Sequence, residues 1–213
     1  MDAIFKRDKI DVGATCIHTV TYPEFAPEDF LDVLTDSELE RYHTFRHPKR
    51  KREFIATRAL RHELYGNKHI HYTPEGAPYI HTDTFISISH SKNVVAIAEN
   101  HEFPIGLDLE PLRPNIQRVM HKFLSEEELV NFDCNDIQLL TSIWSAKETL
   151  YKLAGRKQII FRDELHISRI NNQWKGRIVN PKHDLLVNLD IFEREGIIYT
   201  LNSSRVEYSK RDS

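Results

Sequence analysis

Residues 138–155 have the sequence QLLTSIWSAKETLYKLAG, which predicts one long helix that ends at Gly155. Glu148 and Lys152 stand four residues apart and are therefore neighbours on one face of this helix. The pattern is also typical of an ordinary amphipathic helix with a surface Glu–Lys pair. In the functional alternative, Glu148 is an acid beside a cation and Lys152 is a phosphate ligand.

A second segment, IGLDLEPL at residues 105–112, predicts a strand that ends near Pro111. Side chains alternate along a strand, so Asp108 and Glu110 share one face, and their carboxylates repel unless a cation or water lies between them. Mg²⁺ binds one or two carboxylates and leaves its other positions to water and phosphate oxygens. A solvated strand edge is the alternative interpretation of this pair.

The first half of the chain contains two segments that could bind a phosphate. The basic segment RHPKRKR (46–52) precedes a predicted helix over 53–66, which also carries Arg58 and Arg61. Positive charge opposes the dipole at a helix start, and a bound anion would relieve this; a solvated helix start is the alternative. SISHS (87–91) offers hydroxyls and an imidazole where FISIS turns towards VVAIA, although ordinary turn chemistry also explains these residues.

The chain of 213 residues divides at a polar connection, NHEFP, at residues 100–104. Residues 10–20 predict a strand, and Ser125 with Glu128 predicts a helix start with a capping box. Both halves combine helices with short alternating strands, which predicts an α+β fold of two lobes, 1–103 and 104–213. We expect each lobe to hold a small, mostly antiparallel sheet, with the active-site cleft between the lobes.

Composition excludes several classes of protein. The formal net charge is −3 and the pI is about 6.5, which disfavours a globally basic nucleic-acid binder. No apolar run is long enough for a membrane-spanning helix, and residues 1–16 hold no apolar stretch suited to a signal peptide. Cys16 and Cys134 are far apart, which is typical of a reduced, cytoplasmic protein and argues against a disulfide scaffold.

The order and spacing of these segments carry more information than any one of them. SISHS, then Gly106-Leu107-Asp108-Leu109-Glu110, then the stretch from Trp144 to Lys152 resembles the 4′-phosphopantetheinyl transferase superfamily. The closest type is the long, monomeric, two-lobed class typified by surfactin-synthetase activation. The resemblance implies a pseudo-twofold pair of α/β lobes with coenzyme A between them. The likeness extends from the basic helix to residue 155.

The resemblance also implies a reaction and a site. The phosphopantetheine arm of coenzyme A would pass to a serine of an apo carrier protein, either an acyl, a peptidyl or an aryl carrier. The other product would be adenosine 3′,5′-bisphosphate, as for a holo-[acyl-carrier-protein] synthase. The site implied consists of Mg²⁺ ligands Asp108, Glu110 and Glu148, the phosphate ligand Lys152, and nucleotide contacts Arg52, Ser89, His90 and Arg41. The serine proton would pass either to Glu148 or to a metal-bound water.

The sequence departs from the family pattern at Gly76-Ala77-Pro78, where the family often has a lysine that reaches the nucleotide. Arg41 is the only basic side chain just before the basic segment. Arg156 and Lys157 are candidates for docking an acidic carrier. A non-catalytic carrier-binding module and a Mg²⁺-dependent nuclease are the alternative functions.

Overall fold

The computed structural model describes residues 4–81, 83–155, 158–180 and 184–209. It confirms an α+β fold with antiparallel sheets. Contacts divide the chain into two compact units, unit 1 (Met1–His101) and unit 2 (Glu102–Ser213). Arg156 and Lys157, the predicted docking residues, lie outside the described residues. Among the helices of the described part, none is both long and apolar enough to cross a membrane.

The described residues of unit 1 form six strands and two α-helices, with a 3₁₀ helix over Pro27–Val33 between the second strand and the first α-helix. In chain order these elements are β1 (Lys6–Val12), β2 (Thr15–Thr21), α1 (Asp36–Thr44), α2 (Pro48–Tyr65), β3 (His71–Tyr72), β4 (Pro78–Tyr79), β5 (Phe85–Ser91) and β6 (Val94–Asn100). Four strands form an antiparallel sheet in the order β1-β2-β6-β5, and β3 and β4 form a separate hairpin. Helix α2 packs on the four-stranded sheet and closes the core of the unit.

Two turns determine the strand pairing in this sheet. The prediction of one strand over 10–20 is wrong, because Gly13 adopts a φ of +56° and turns the chain between β1 and β2. Glycine has no Cβ and therefore enters this backbone region at little cost. The predicted hairpin between FISIS and VVAIA is confirmed, with Lys92 and Asn93 as its two-residue turn.

In unit 2 the part of the chain that the structure describes forms six strands and three α-helices, with a 3₁₀ helix over Ile116–Lys122. In chain order these elements are β7 (Leu107–Pro111), α3 (Glu126–Asn131), α4 (Ile137–Ala154), α5 (Phe161–Glu164), β8 (Leu165–Ile170), β9 (Gln173–Val179), β10 (Asp184–Arg194), β11 (Ile197–Asn202) and β12 (Glu207–Tyr208). The sheet has the order β7-β11-β10-β9-β8, and β12 pairs with β10.

Helix α4 is the long helix predicted over 138–155, and it lies against β7, β11 and the central strands of the sheet. Its predicted stop is confirmed, because Gly155 follows it with a left-handed φ of +59°. The approach to the sheet is close: a Cβ on Gly106 would lie 2.8 Å from the carbonyl oxygen of Thr149. This packing sets α4 directly against β7. The two signature segments, which are residues 105–112 and 138–155, therefore meet here.

Candidate functional site

Asp108 and Glu110 lie on β7, two residues apart, and both side chains are directed towards α4. Their residues are only 6% and 8% exposed, so the alternative of a solvated strand edge is excluded. On the neighbouring strand β11, Thr200 is paired directly with Asp108. The alternation inferred from sequence therefore places both carboxylates in the interface between sheet and helix, where desolvation makes a charge costly unless it is paired.

The two oxygens of Asp108 have different partners on α4. Lys152 Nζ lies 3.1 Å from Oδ1 and also donates to the carbonyl oxygen of Leu107. Ser145 Oγ donates to Oδ2 at 2.9 Å and makes a very short contact with the Thr200 hydroxyl. Asp108 is thus held from two directions by side chains about two helical turns apart on α4. The predicted proximity of Asp108 and Lys152 is present in the structure.

Glu110 is held by an arginine and a tryptophan. Arg113 binds its carboxylate in bidentate fashion, with Nη2–Oε1 at 2.6 Å and Nε–Oε2 at 2.9 Å. The indole Nε1 of Trp144 donates to Oε1 at 2.9 Å, and the Arg113 guanidinium lies 5.3 Å from the centre of the Trp144 ring. Two parallel N–H···O bonds of this kind are strong and geometrically specific. Arg113 was not singled out from the sequence. It lies two residues beyond the end of β7, and its pairing with Glu110 depends on the direction that the chain takes there.

Glu148 is the third predicted acid, and it lies on the same helix as Lys152. Burial raises the pKa of its carboxyl to about 7, and the negative charges of Asp108 and Glu110 add to this rise, whereas Lys152 opposes it. Within the described residues the side-chain carboxylate of Glu148 forms no hydrogen bond. The three acids are therefore close enough to influence one another, and together they exceed the positive charge of Lys152 and Arg113.

This donor set suits Mg²⁺ in kind and in charge, since carboxylate oxygens are the ligands that a hard cation prefers. Among the described residues, however, no three Asp, Glu, His or Cys side chains are arranged to hold a metal ion as they stand. The reason is visible in the contacts: Asp108 is turned towards Lys152 and Ser145, and Glu110 towards Arg113 and Trp144. A cation would need side-chain rearrangement at Glu110 in particular.

A buried ion pair beside this site was missed by the sequence analysis. Lys147 is fully buried, and its Nζ lies 2.7 Å from Glu128 Oε2. It also donates to the carbonyl oxygens of Phe123 and Phe161. The sequence identified Glu128 correctly as a capping-box residue, and its bond from the Ser125 amide is 2.7 Å long. The pairing with Lys147 joins residues 19 positions apart and has no local signal.

The predicted nucleotide contacts lie in unit 1. Arg52 donates to Glu24 at 3.1 Å, and the guanidinium of Arg41 lies 4.6 Å from the Tyr72 ring centre. His90 faces α2, where it contacts Arg50 at 2.8 Å. Adjacent strand residues face opposite sides, so the buried Ser89 is directed to the other side of the sheet.

The basic segment of unit 1 divides into exposed and buried members. Arg50 lies on the surface beside Glu53 and contacts His90, whereas Arg52 donates to Glu24. Arg58 and Arg61, in contrast, are buried against Glu38, at 2.8 Å each. These two arginines stabilise the packing of α2 on α1 and are not available to a ligand. Lys51 and Arg52 of the basic segment are also paired with glutamates, so this part of the chain offers fewer free cations than its sequence suggests.

The raised pKa of Glu148 predicts a pH-dependent stability of the metal-free protein. The unfolded carboxyl titrates near 4.5 and the folded one near 7, so stability falls as the pH rises between these values. In EDTA at about pH 8, Glu148→Gln should raise the melting temperature by at least about 2 °C, and at about pH 4.5 it should not. Thermal unfolding of both proteins measures this difference. Glu127→Gln, which alters an exposed acid of α3, is the control. An equal Glu148→Gln effect at both pH values would contradict the raised pKa of the Glu148 carboxyl.

Comparison with known proteins agrees with this geometry. The model of the 4′-phosphopantetheinyl transferase superfamily matches residues 104–190, which contain β7, α3 and α4 and hence Asp108, Glu110, Glu148 and Lys152. The matched region lies entirely within unit 2.

Two curated relatives are similar over longer stretches. The 4′-phosphopantetheinyl transferase HetI of Nostoc sp. is 27% identical over 152 residues, which cover 62% of this chain and 64% of HetI. The 4′-phosphopantetheinyl transferase AcpT of Escherichia coli O157:H7 is 26% identical over 171 residues, 76% of this chain and 83% of AcpT. The chain thus spans slightly less than two thirds of the length of HetI. The resemblance drawn from the sequence is confirmed: residues 104–190 match the model of the 4′-phosphopantetheinyl transferase superfamily.

Proposed function

We propose that this protein transfers the 4′-phosphopantetheine arm of coenzyme A to a serine of an apo carrier protein, in a Mg²⁺-dependent reaction. The proposal rests on one observation: the acids and the lysine of two separate signature segments meet between β7 and α4. The matching family model and the two relatives, both named as transferases, support it. They favour neither the nuclease nor the non-catalytic carrier-binding module.

The reaction exchanges one phosphorus–oxygen bond for another. The serine oxygen forms a bond to the pantetheine-bearing phosphorus of coenzyme A, and the bond from that phosphorus to the bridging oxygen breaks. Adenosine 3′,5′-bisphosphate leaves with the bridging oxygen, and the serine proton goes to a base. Such transfers depend on orientation and on stabilisation of charge more than on covalent help from the protein.

Each residue of the site has a role in this proposal. Asp108, Glu110 and Glu148 would hold Mg²⁺, which neutralises charge on the pyrophosphate when bound. Lys152, which is held beside Asp108, would bind a phosphate oxygen as a compact positive charge. Glu148 is the protein group proposed to accept the serine proton, with a metal-bound water as the alternative.

We further propose that unit 1 supplies the contacts to the nucleotide. Arg52, Ser89, His90 and Arg41 are the residues proposed from sequence, and the contact of Arg50 with His90 adds Arg50 to them. Coenzyme A carries a 3′-phosphate, for which arginine is well suited. The proposed partner is an apo acyl, peptidyl or aryl carrier protein. The proposed reaction is of the holo-[acyl-carrier-protein] synthase type, and the enzyme is proposed to act as a monomer.

An intact-mass assay tests the proposal. The purified protein is mixed with an apo acyl carrier protein or an apo peptidyl carrier protein, coenzyme A, and either Mg²⁺ or EDTA. We expect at least one carrier to gain the mass of one phosphopantetheine in Mg²⁺ and none in EDTA. A protein that neither modifies a carrier nor binds coenzyme A would contradict the proposal, whereas binding without transfer would favour the non-catalytic module.

A further inference from the structure

Glu110 differs from the other two acids of the site in that a positively charged side chain of the same unit binds both of its oxygens. Arg113 reaches Oε1 at 2.6 Å and Oε2 at 2.9 Å, and Trp144 adds a third hydrogen bond to Oε1. Glu110 therefore already has a cationic partner, although burial still raises the pKa of its carboxyl above the ordinary value. A cation that takes either oxygen must compete with the guanidinium for it.

The other two acids do not face the same competition. Lys152 binds one oxygen of Asp108, and the neutral Ser145 hydroxyl binds the other. The side-chain carboxylate of Glu148 has no hydrogen bond within the described residues, and burial raises its pKa to about 7. Glu110 is therefore the carboxylate on which one cationic side chain binds both oxygens.

Arg113 is placed so that it can leave. Its side chain is 46% exposed, whereas that of Glu110 is 11% exposed. It follows Pro111, the last residue of β7, and so lies beyond the strand ladder. Its guanidinium is also within 5.3 Å of the centre of the Trp144 ring, a contact that does not depend on Glu110. An arriving cation would replace the positive charge beside Glu110, and water can solvate the freed guanidinium because the Arg113 side chain is already half exposed.

We propose that Arg113 is an exchangeable counter-ion of Glu110, which neutralises this carboxylate while no divalent cation is bound and yields it when one arrives. This inference rests on the proposed function only in taking Glu110 as a cation ligand. Its consequence is that Arg113 sets the cation concentration at which the site fills, because every binding event must break the bidentate pair. Removing a positively charged side chain should then strengthen cation binding.

The test is titration of the full-length chain with Mn²⁺ by calorimetry, in the absence of coenzyme A and carrier. Mn²⁺ accepts the same oxygen ligands as Mg²⁺. At about pH 8, where the carboxylates are mainly ionised, we expect Arg113→Gln to bind Mn²⁺ roughly fivefold to tenfold more tightly than the wild type. Arg113→Lys, which retains the charge but loses the bidentate geometry, should lie between them.

A matched control separates competition from a general change of charge. Arg162→Gln removes another arginine of unit 2, one that pairs with the exposed Glu126 at 2.9 Å. It should leave Mn²⁺ affinity unchanged. Equal Mn²⁺ affinity of Arg113→Gln and the wild type would overturn the inference, as would an equal gain in Arg162→Gln. A thermal melt of each variant shows that the comparison is made between folded proteins.

This experiment is independent of the transfer assay. If the wild type modifies a carrier with Mg²⁺ but Arg113→Gln gains no Mn²⁺ affinity, the counter-ion inference fails and the proposed function stands. If Arg113→Gln gains affinity but no carrier is modified, the inference holds and the proposed function fails. Absence of Mn²⁺ binding in both proteins would overturn the inference directly.

Discussion

Asp108→Asn is expected to reduce phosphopantetheine transfer by at least about a hundredfold while the protein remains folded. The change keeps the shape of the side chain but removes a charge that balances Lys152, 3.1 Å away, and that is proposed to hold the cation. The one side-chain oxygen of Asn can accept from Ser145 or from Lys152 but does not replace both carboxylate oxygens, while the side-chain volume is retained. The measurement is the initial rate of carrier modification by intact mass, together with the Mg²⁺ concentration for half-maximal rate.

The matched control for Asp108→Asn is Asp136→Asn on the same unit. Asp136 caps α4 by accepting a hydrogen bond from the Leu139 amide at 2.9 Å, and Asn is an equally good capping residue. This variant should retain the wild-type rate. An Asp108→Asn protein that transfers at the wild-type rate with an unchanged Mg²⁺ requirement would show that Asp108 is not part of the site.

Lys147→Met is expected to lower the free energy of unfolding by about 3–5 kcal/mol. The reason is that the buried Glu128 would lose its cationic partner, which lies 2.7 Å away in the wild type. The carbonyl oxygens of Phe123 and Phe161 would also lose a donor. Urea denaturation measures the effect. The loss should be large because the Lys147 side chain is wholly inaccessible to water.

A second variant separates the unpaired charge from the change in volume. In Lys147→Met/Glu128→Gln the buried charge is absent, while Gln can still accept the amide hydrogen bond that Ile167 gives to Glu128. This double variant should be more stable than Lys147→Met alone. Lys122→Met, which alters an exposed lysine, is the control for the substitution itself. A Lys147→Met protein within about 1 kcal/mol of the wild type would contradict the role given to this pair.

The two lysines of the signature helix therefore have different surroundings despite their common motif. Lys152 is partly exposed, with 28% of its side chain accessible, and it contacts Asp108. Lys147 is fully enclosed by α3, α5 and the chain before α3. Lys147 and Lys152 are five residues apart, which is about 140° more than one full turn, so their side chains leave the helix on different sides. Closeness in sequence therefore does not predict a shared role.

Local sequence signals predicted much of the fold. Gly155 ends α4, Ser125 and Glu128 form the capping box, and the Lys92–Asn93 turn pairs β5 with β6, each as expected. These signals act over a few residues, so the sequence carries them without reference to the rest of the chain. The prediction of one strand over residues 10–20 was wrong because the strand-like composition on both sides of Gly13 concealed the turn there.

The sequence by itself determined the chemical types of the site: three carboxylates and a lysine, at a spacing that resembles the transferase superfamily. Tertiary structure alone decided their partners. Ser145 and Thr200 surround Asp108 because α4 packs against β7 and β11. Glu128 meets Lys147 because α3 lies beside α4, and Arg113 meets Glu110 because the chain leaves β7 at Pro111. Periodicity specifies which side of an element a residue occupies, but a charge buried between two elements takes whichever partner the packing brings within hydrogen-bond distance.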